Sequence, residues 1–207
     1  MAKIKNEITL PPHAEIDVQA FSRVFDKTTT TYKFLWLLAI LKIVESKNEP
    51  VIKLRDISRE AINLAVGPIC KLNLKFGASD GIKEHINCTS KKVPVEMLVI
   101  IEKYAPRRLL TPFFDSDLTR SEDPPKNKKI KELANAAFHH KFPPPYRFVG
   151  NNDNPAIEIH PAWMNYWTTN MAIVRNWAIW HWTIFLEKRN PGISDIFNKI
   201  KRDFPNR

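Results

Sequence analysis

Apolar residues fall along this chain in blocks of helical spacing. Tyr32, Leu35, Trp36, Ala39, Ile40 and Ile43 recur every three or four positions, and Phe34, Leu37, Leu38 and Leu41 fill the places between them. A helix that is apolar on every side belongs at the centre of a domain. Thr28 to Thr31 precede it and offer hydroxyls to its unpaired first-turn N–H groups. A second helix is predicted over Leu54–Val66, with Leu54, Ile57, Ala61 and Leu64 on one face and Pro68 bending the chain after it. Gly77 to Gly81 reads as a turn, and Pro94 opens a further helix over Val95–Tyr104, where its missing N–H costs nothing.

Residues 105–114 hold two prolines, which predicts a loop carrying the pair Arg107-Arg108. Lys126–His140 reads as an amphipathic helix with a basic first turn. That placement opposes the helix dipole, so the lysines serve something other than helix stability. Pro143-Pro144-Pro145 ends it. Tyr146–Val149 and Ala156–His160 alternate around the turn Gly150–Asn154, which predicts a small hairpin. Pro161 then opens one long helix to about Arg189, with Trp163, Trp167, Trp177, Trp180 and Trp182 in it. Residues 1–19 read as an extended arm, leading to a short helix around Gln19–Phe25. The expectation is a mainly α, irregular multi-helix domain over residues 1–207, with one minor β-hairpin and a long Trp-rich C-terminal helix. The arm occupies 1–19, the helical core with its hairpin 20–160, and the long and terminal helices 161–207.

Composition adds a partner class to this picture. Hydrophobic residues make up 43% of the 207, enough for a core, which excludes a disordered basic tail. The longest apolar run, Phe34–Leu41, is far below the roughly 20 residues of a membrane span. The start of the chain lacks the apolar segment of a signal peptide. Cys70 and Cys88 are too few for a disulfide framework and read as buried free thiols, so the expected compartment is the cytoplasm. Lys and Arg total 32 against 22 Asp and Glu, a net charge of +10. Such a surplus favours polyanions, because cationic side chains displace counterions condensed on phosphates. Half of the surplus lies within residues 51–110, and the densest clusters are Lys91-Lys92, Arg107-Arg108 and Lys126 to Lys131.

Catalytic signatures are absent from the sequence. None of the six histidines stands in a metal-nuclease context, and His139-His140 point about 100° apart on a helix, unlike an i, i+4 chelating pair. There is no phosphate-binding glycine loop and no nucleophile elbow. No catalytic residue, metal ligand or cofactor is assigned. Trp163, Trp167, Asn170, Val174 and Trp177 share one stripe and read as core, whereas Trp182 lies off it and reads as an interface residue. Exposed tryptophan faces would stack unpaired bases.

Five segments together carry a family resemblance: Thr-Thr-Thr-Tyr-Lys-Phe-Leu-Trp-Leu-Leu-Ala-Ile-Leu (29–41), Leu-Lys-Phe-Gly-Ala-Ser-Asp (74–80), Arg-Arg-Leu-Leu-Thr-Pro-Phe-Phe (107–114), Tyr-Arg-Phe (146–148) and Arg-Asn-Pro-Gly-Ile (189–193). In this order they resemble the N-terminal region of bacterial HNH endonucleases. The resemblance covers nearly the whole chain. It implies a helical targeting domain that holds DNA for a nuclease module expected outside this chain, in restriction or phage defence, with any divalent metal in that module. Where the family pattern has Tyr-Arg before Leu-x-Pro-Phe-Phe, this chain has Arg107-Arg108.

The sequence therefore points to a DNA-binding domain, with duplex DNA as the partner. Arg107, Arg108, Lys126, Lys128, Lys129 and Arg147 would contact phosphates, and Tyr32 and Lys33 would sit near the same surface. The alternative is a protein-interaction or dimerisation module that uses the Trp-rich helix and binds no nucleic acid. A third possibility is cleavage by this chain itself, through His139 or His160.

Overall fold

The computed structural model describes residues 8–26, 28–77, 80–82, 86, 88, 95–114 and 124–202, without the side chains of 124–128. Eight α-helices are found among them: α1 (Val18–Ser22), α2 (Tyr32–Lys47), α3 (Leu54–Val66), α4 (Val95–Leu110), α5 (Pro124–Ala137), α6 (Pro161–Thr169), α7 (Met171–Glu187) and α8 (Ile196–Lys201). Three short strands, β1 (Val51–Lys53), β2 (Tyr146–Val149) and β3 (Ala156–Ile159), form an antiparallel sheet in the order β1-β3-β2. The fold is mainly α, as the periodicity predicts.

Helix α2 is the axis. Nearly every residue from Tyr32 to Val44 is buried, and α3, α4, α6 and α7 pack around it. A single apolar cluster runs from Leu10 to Ile200 and draws on all eight helices. Helix α3 covers the predicted span and ends in a five-residue π-turn, Gly67–Lys71, which carries Cys70.

The hairpin has the predicted strands, and β1 adds a third, with Ile52 opposite Ile157. Gly150 sits at φ +80°, and a Cβ there would lie 2.1 Å from the Asn154 carbonyl oxygen, so the turn requires glycine. Asn151 Oδ1 accepts from the Asp153 and Asn154 N–H groups and closes the turn. The outer edge of β2 is not left open: Asn135 on α5 accepts from Phe148 N and donates to Phe148 O, imitating a further strand.

Several expectations are corrected. Pro106 does not end its helix; α4 runs to Leu110 and continues as a 3-10 turn over Thr111–Phe113, so Arg107 and Arg108 are helical. Proline removes one ladder donor, and the turn around it gains two side-chain hydrogen bonds: Arg107 Nη1 donates to Lys103 O at 2.7 Å, and the Tyr146 hydroxyl donates to Pro106 O at 2.6 Å. The long C-terminal helix is two helices. Asn170 ends α6, with its backbone and side-chain N–H groups both donating to Tyr166 O, and side-chain competition of this kind breaks a helix. Trp182 faces no interface; like Trp163 and Trp167 it is fully buried. Threonine hydroxyls do not cap α2, since the Thr31 N–H donates to Asp80 Oδ1 at 2.6 Å instead. Finally, Cys70 and Cys88 are joined as a disulfide, not free thiols, with Cα atoms 5.5 Å apart. No helix among the described residues is long and apolar enough to cross a membrane.

Candidate nucleic-acid interface

The last turn of α4 is held on both sides of Pro106. Behind it the Tyr146 hydroxyl anchors the turn to the sheet; in front stand Arg107 and Arg108. Arg107 is half-buried, and its Nε is buried with no hydrogen-bond partner among the described residues. Its single hydrogen bond there is to Lys103 O. Burial lowers the guanidinium's pKa. The C-terminal turn of a helix favours a cation, which accounts for a basic residue here but not for burying one unpaired.

Arg108 lies on the neighbouring face, close to Lys33. The Lys33 amine donates to Val24 O at 2.9 Å and is pushed down to about 8, first by burial and then by the Arg108 charge, with Asp26 opposing. Two like charges are thus brought together beside the start of α2. Tyr32 turns inward: its hydroxyl donates to the Asp80 carbonyl, and burial raises it to about 12. Asp80, itself buried, receives the Thr31 N–H on one carboxylate oxygen and the Gly77 N–H on the other. A carboxylate thereby occupies the positive end of α2, with Arg189 near it. Burial raises the Asp80 pKa against these hydrogen bonds.

At the same end Asn190 clamps residue 75, accepting from Lys75 N at 2.7 Å and donating to Lys75 O at 2.8 Å. Arg189 stacks 3.6 Å above the Phe185 ring, which touches Phe34. Four sequence segments far apart in the chain, 29–41, 74–80, 107–114 and 189–193, therefore meet at one end of the molecule. The fifth, 146–148, joins them through Tyr146.

Arg147 stands apart from this cluster. It lies directly across the sheet from Glu158, which accepts from its Nε and Nη2, both at 2.7 Å. Nη1 lies 3.1 Å from His139 Nε2, and the guanidinium stacks 4.5 Å over Phe138. Lys129 is exposed on α5, which packs against α4 and β2. Lys126 and Lys128 belong to the same helix, and their side chains lie outside the described residues; Lys91-Lys92 also lie outside them. His160 caps α6 by accepting Ala162 N–H on Nδ1, and burial and His139 hold its pKa down. Among the described residues no group of three His, Cys, Asp or Glu side chains is placed to hold a metal.

Sequence reasoning passed over Asp80 and Asn190, although both lie in the segments quoted above. A lone Asp in a glycine-flanked turn gives no sign that it caps a helix 49 residues away. No family model, curated protein or solved structure matches this chain.

Proposed function

We propose that this chain is a DNA-binding domain whose contact surface is the end of α4 with the adjoining basic turns of α5. Arg107, Arg108 and Lys129 contact backbone phosphates, with Lys126 and Lys128 beside them; Lys33 adds charge from behind. The observation that carries this reading is Arg107, a half-buried guanidinium without a carboxylate partner among the described residues, on a chain of net charge +10. A phosphate offers the two acceptor oxygens that such a fork lacks. Arg147 is committed to Glu158 and plays a smaller part.

The resemblance to the N-terminal region of HNH endonucleases supports the same reading and extends it. In that case the domain positions duplex DNA for a nuclease module elsewhere, in restriction or phage defence. Phosphate contacts set position and register and leave sequence unread. The alternative of partner docking through the tryptophans rests on Trp180 alone, since Trp163, Trp167, Trp177 and Trp182 are all buried.

The test is fluorescence anisotropy on a labelled duplex of roughly 20 base pairs as salt rises from about 50 to about 200 mM. About four phosphate contacts predict an affinity loss of about a hundredfold over that range. Absence of binding at low salt, or binding indifferent to salt, overturns the proposal.

A further inference from the structure

The turn after α5 holds a conformation that its own sequence disfavours. Phe142 sits at φ +58°, in the left-handed region, immediately before Pro143. A bulky residue rarely adopts this region, and a following proline pushes its predecessor towards extended backbone. Burial does not compensate, because the Phe142 side chain is 46% exposed. The backbone is instead clamped from behind: Pro143, Pro144 and Pro145 are buried, and Pro143 O accepts from Trp163 Nε1 at 2.9 Å. Strained backbone that its surroundings hold in place in this way points to a function for the residue it presents.

What the conformation achieves is the presentation of a ring. Phe142 forms one wall of an open groove of about 390 Å³, opposite Pro12, Ile16 and Val18. The opposite wall is fixed by the Tyr166 hydroxyl, which donates to Pro11 O at 2.8 Å. Asp17 lines the groove too; one of its oxygens accepts Ala20 N–H, which leaves acceptor capacity on the carboxylate. His13 completes that side, with Nδ1 accepting from Glu15 N and its other nitrogen left to donate. One cation stands at the rim: Lys141 Nζ lies over the Phe142 ring, 5.1 Å from its centre.

We infer that this groove receives one unpaired base of a DNA strand, stacked on Phe142, with its flanking phosphate against Lys141. The inference rests on the DNA-binding reading above and adds to it a preference for unpaired nucleotides. A planar base matches the apolar walls, its amino and imino groups match Asp17, and its phosphate matches Lys141 at the rim. An apolar peptide side chain would use the walls and neither of the polar features. The aromatic surface that the buried Trp163, Trp167, Trp177 and Trp182 do not offer is thus supplied by a phenylalanine.

Anisotropy on a labelled single strand of roughly 12 nucleotides and on the duplex of the same sequence tests it, with Phe142→Gly and Phe142→Tyr. Glycine removes the ring and fits the left-handed backbone, so the melting temperature rises by about 3 °C while single-strand affinity falls about tenfold. Duplex affinity stays unchanged, and Phe142→Tyr keeps the wild-type single-strand affinity. Single-strand binding by Phe142→Gly as tight as wild type overturns the inference, and so does an equal loss on duplex. In both cases duplex binding by the wild type leaves the DNA-binding reading standing. Failure of the wild type to bind either probe overturns the two together.

Discussion

Replacing Lys33 by Met should make stability less dependent on pH in the mildly alkaline range. The folded amine titrates at about 8, against 10.5 for an ordinary lysine. Between these values the folded chain binds fewer protons than the unfolded one, so stability rises with pH and is lowest below about 8. Integrated from about pH 7 to about pH 9, a single group shifted this far adds about 1 kcal/mol. Methionine preserves the length and packing of the side chain, removes the titration, and forfeits a hydrogen bond to Val24 O worth about 1 kcal/mol. Urea unfolding followed by tryptophan fluorescence at the two pH values measures the difference, since the buried tryptophans report on the core. Tyr32 and Tyr166, both raised to about 12, act with opposite sign above about pH 10, outside the range and equally in both proteins. Wild type should gain about 1 kcal/mol more than Lys33→Met on going to the higher pH. Equal gains refute the buried, charge-crowded amine.

Two further predictions concern parts of the fold that hold the interface. Asn135→Ala removes both hydrogen bonds that fasten α5 to the edge of β2 and should lower stability by about 2 kcal/mol in urea unfolding. Asn135→Asp, which keeps one acceptor, should fall between that variant and wild type. Reducing the Cys70–Cys88 disulfide opens a loop of sequence separation 18 and should lower stability by about 3 kcal/mol, with two thiols released to a colorimetric reagent. Cys88 is exposed and Cys70 half-buried, so a dithiol reductant should reach the bond without denaturant.

Elements made by local periodicity were legible in the chain. The all-round apolar stretch from Tyr32 foretells α2 at the centre, Leu54–Val66 foretells α3 to the residue, and the Gly150–Asn154 turn foretells the hairpin. Features decided by distant contacts were not. Pro106 reads as a helix breaker until the Tyr146 hydroxyl and the Arg107 side chain are seen serving the carbonyls around it. Asn170 looks like one more position on a stripe, yet its amide turns back on Tyr166 and splits the helix. Three residues at Val51–Lys53 are too short to declare a strand before β3 pairs with them. Cysteines 18 positions apart carry no sign of bonding until the π-turn and the following loop bring them together. At the candidate interface the sequence pointed to the Arg107-Arg108 and Lys33 cluster. It did not show that Tyr32 is bound inward to Asp80 or that Arg147 is bound to Glu158. Phe142 was the least legible of all, because a phenylalanine before proline argues for extended backbone.

Central to the account is Arg107, a cation with no carboxylate partner among the described residues and poised for a phosphate. The most direct test is the salt dependence of duplex binding by Arg107→Gln beside wild type. Loss of one phosphate contact should make the slope of log affinity against log salt shallower by about 0.9 and weaken binding at low salt. Thermal stability should be unchanged or higher, since a half-buried unpaired charge has been removed. An unchanged slope and affinity in Arg107→Gln would contradict the account.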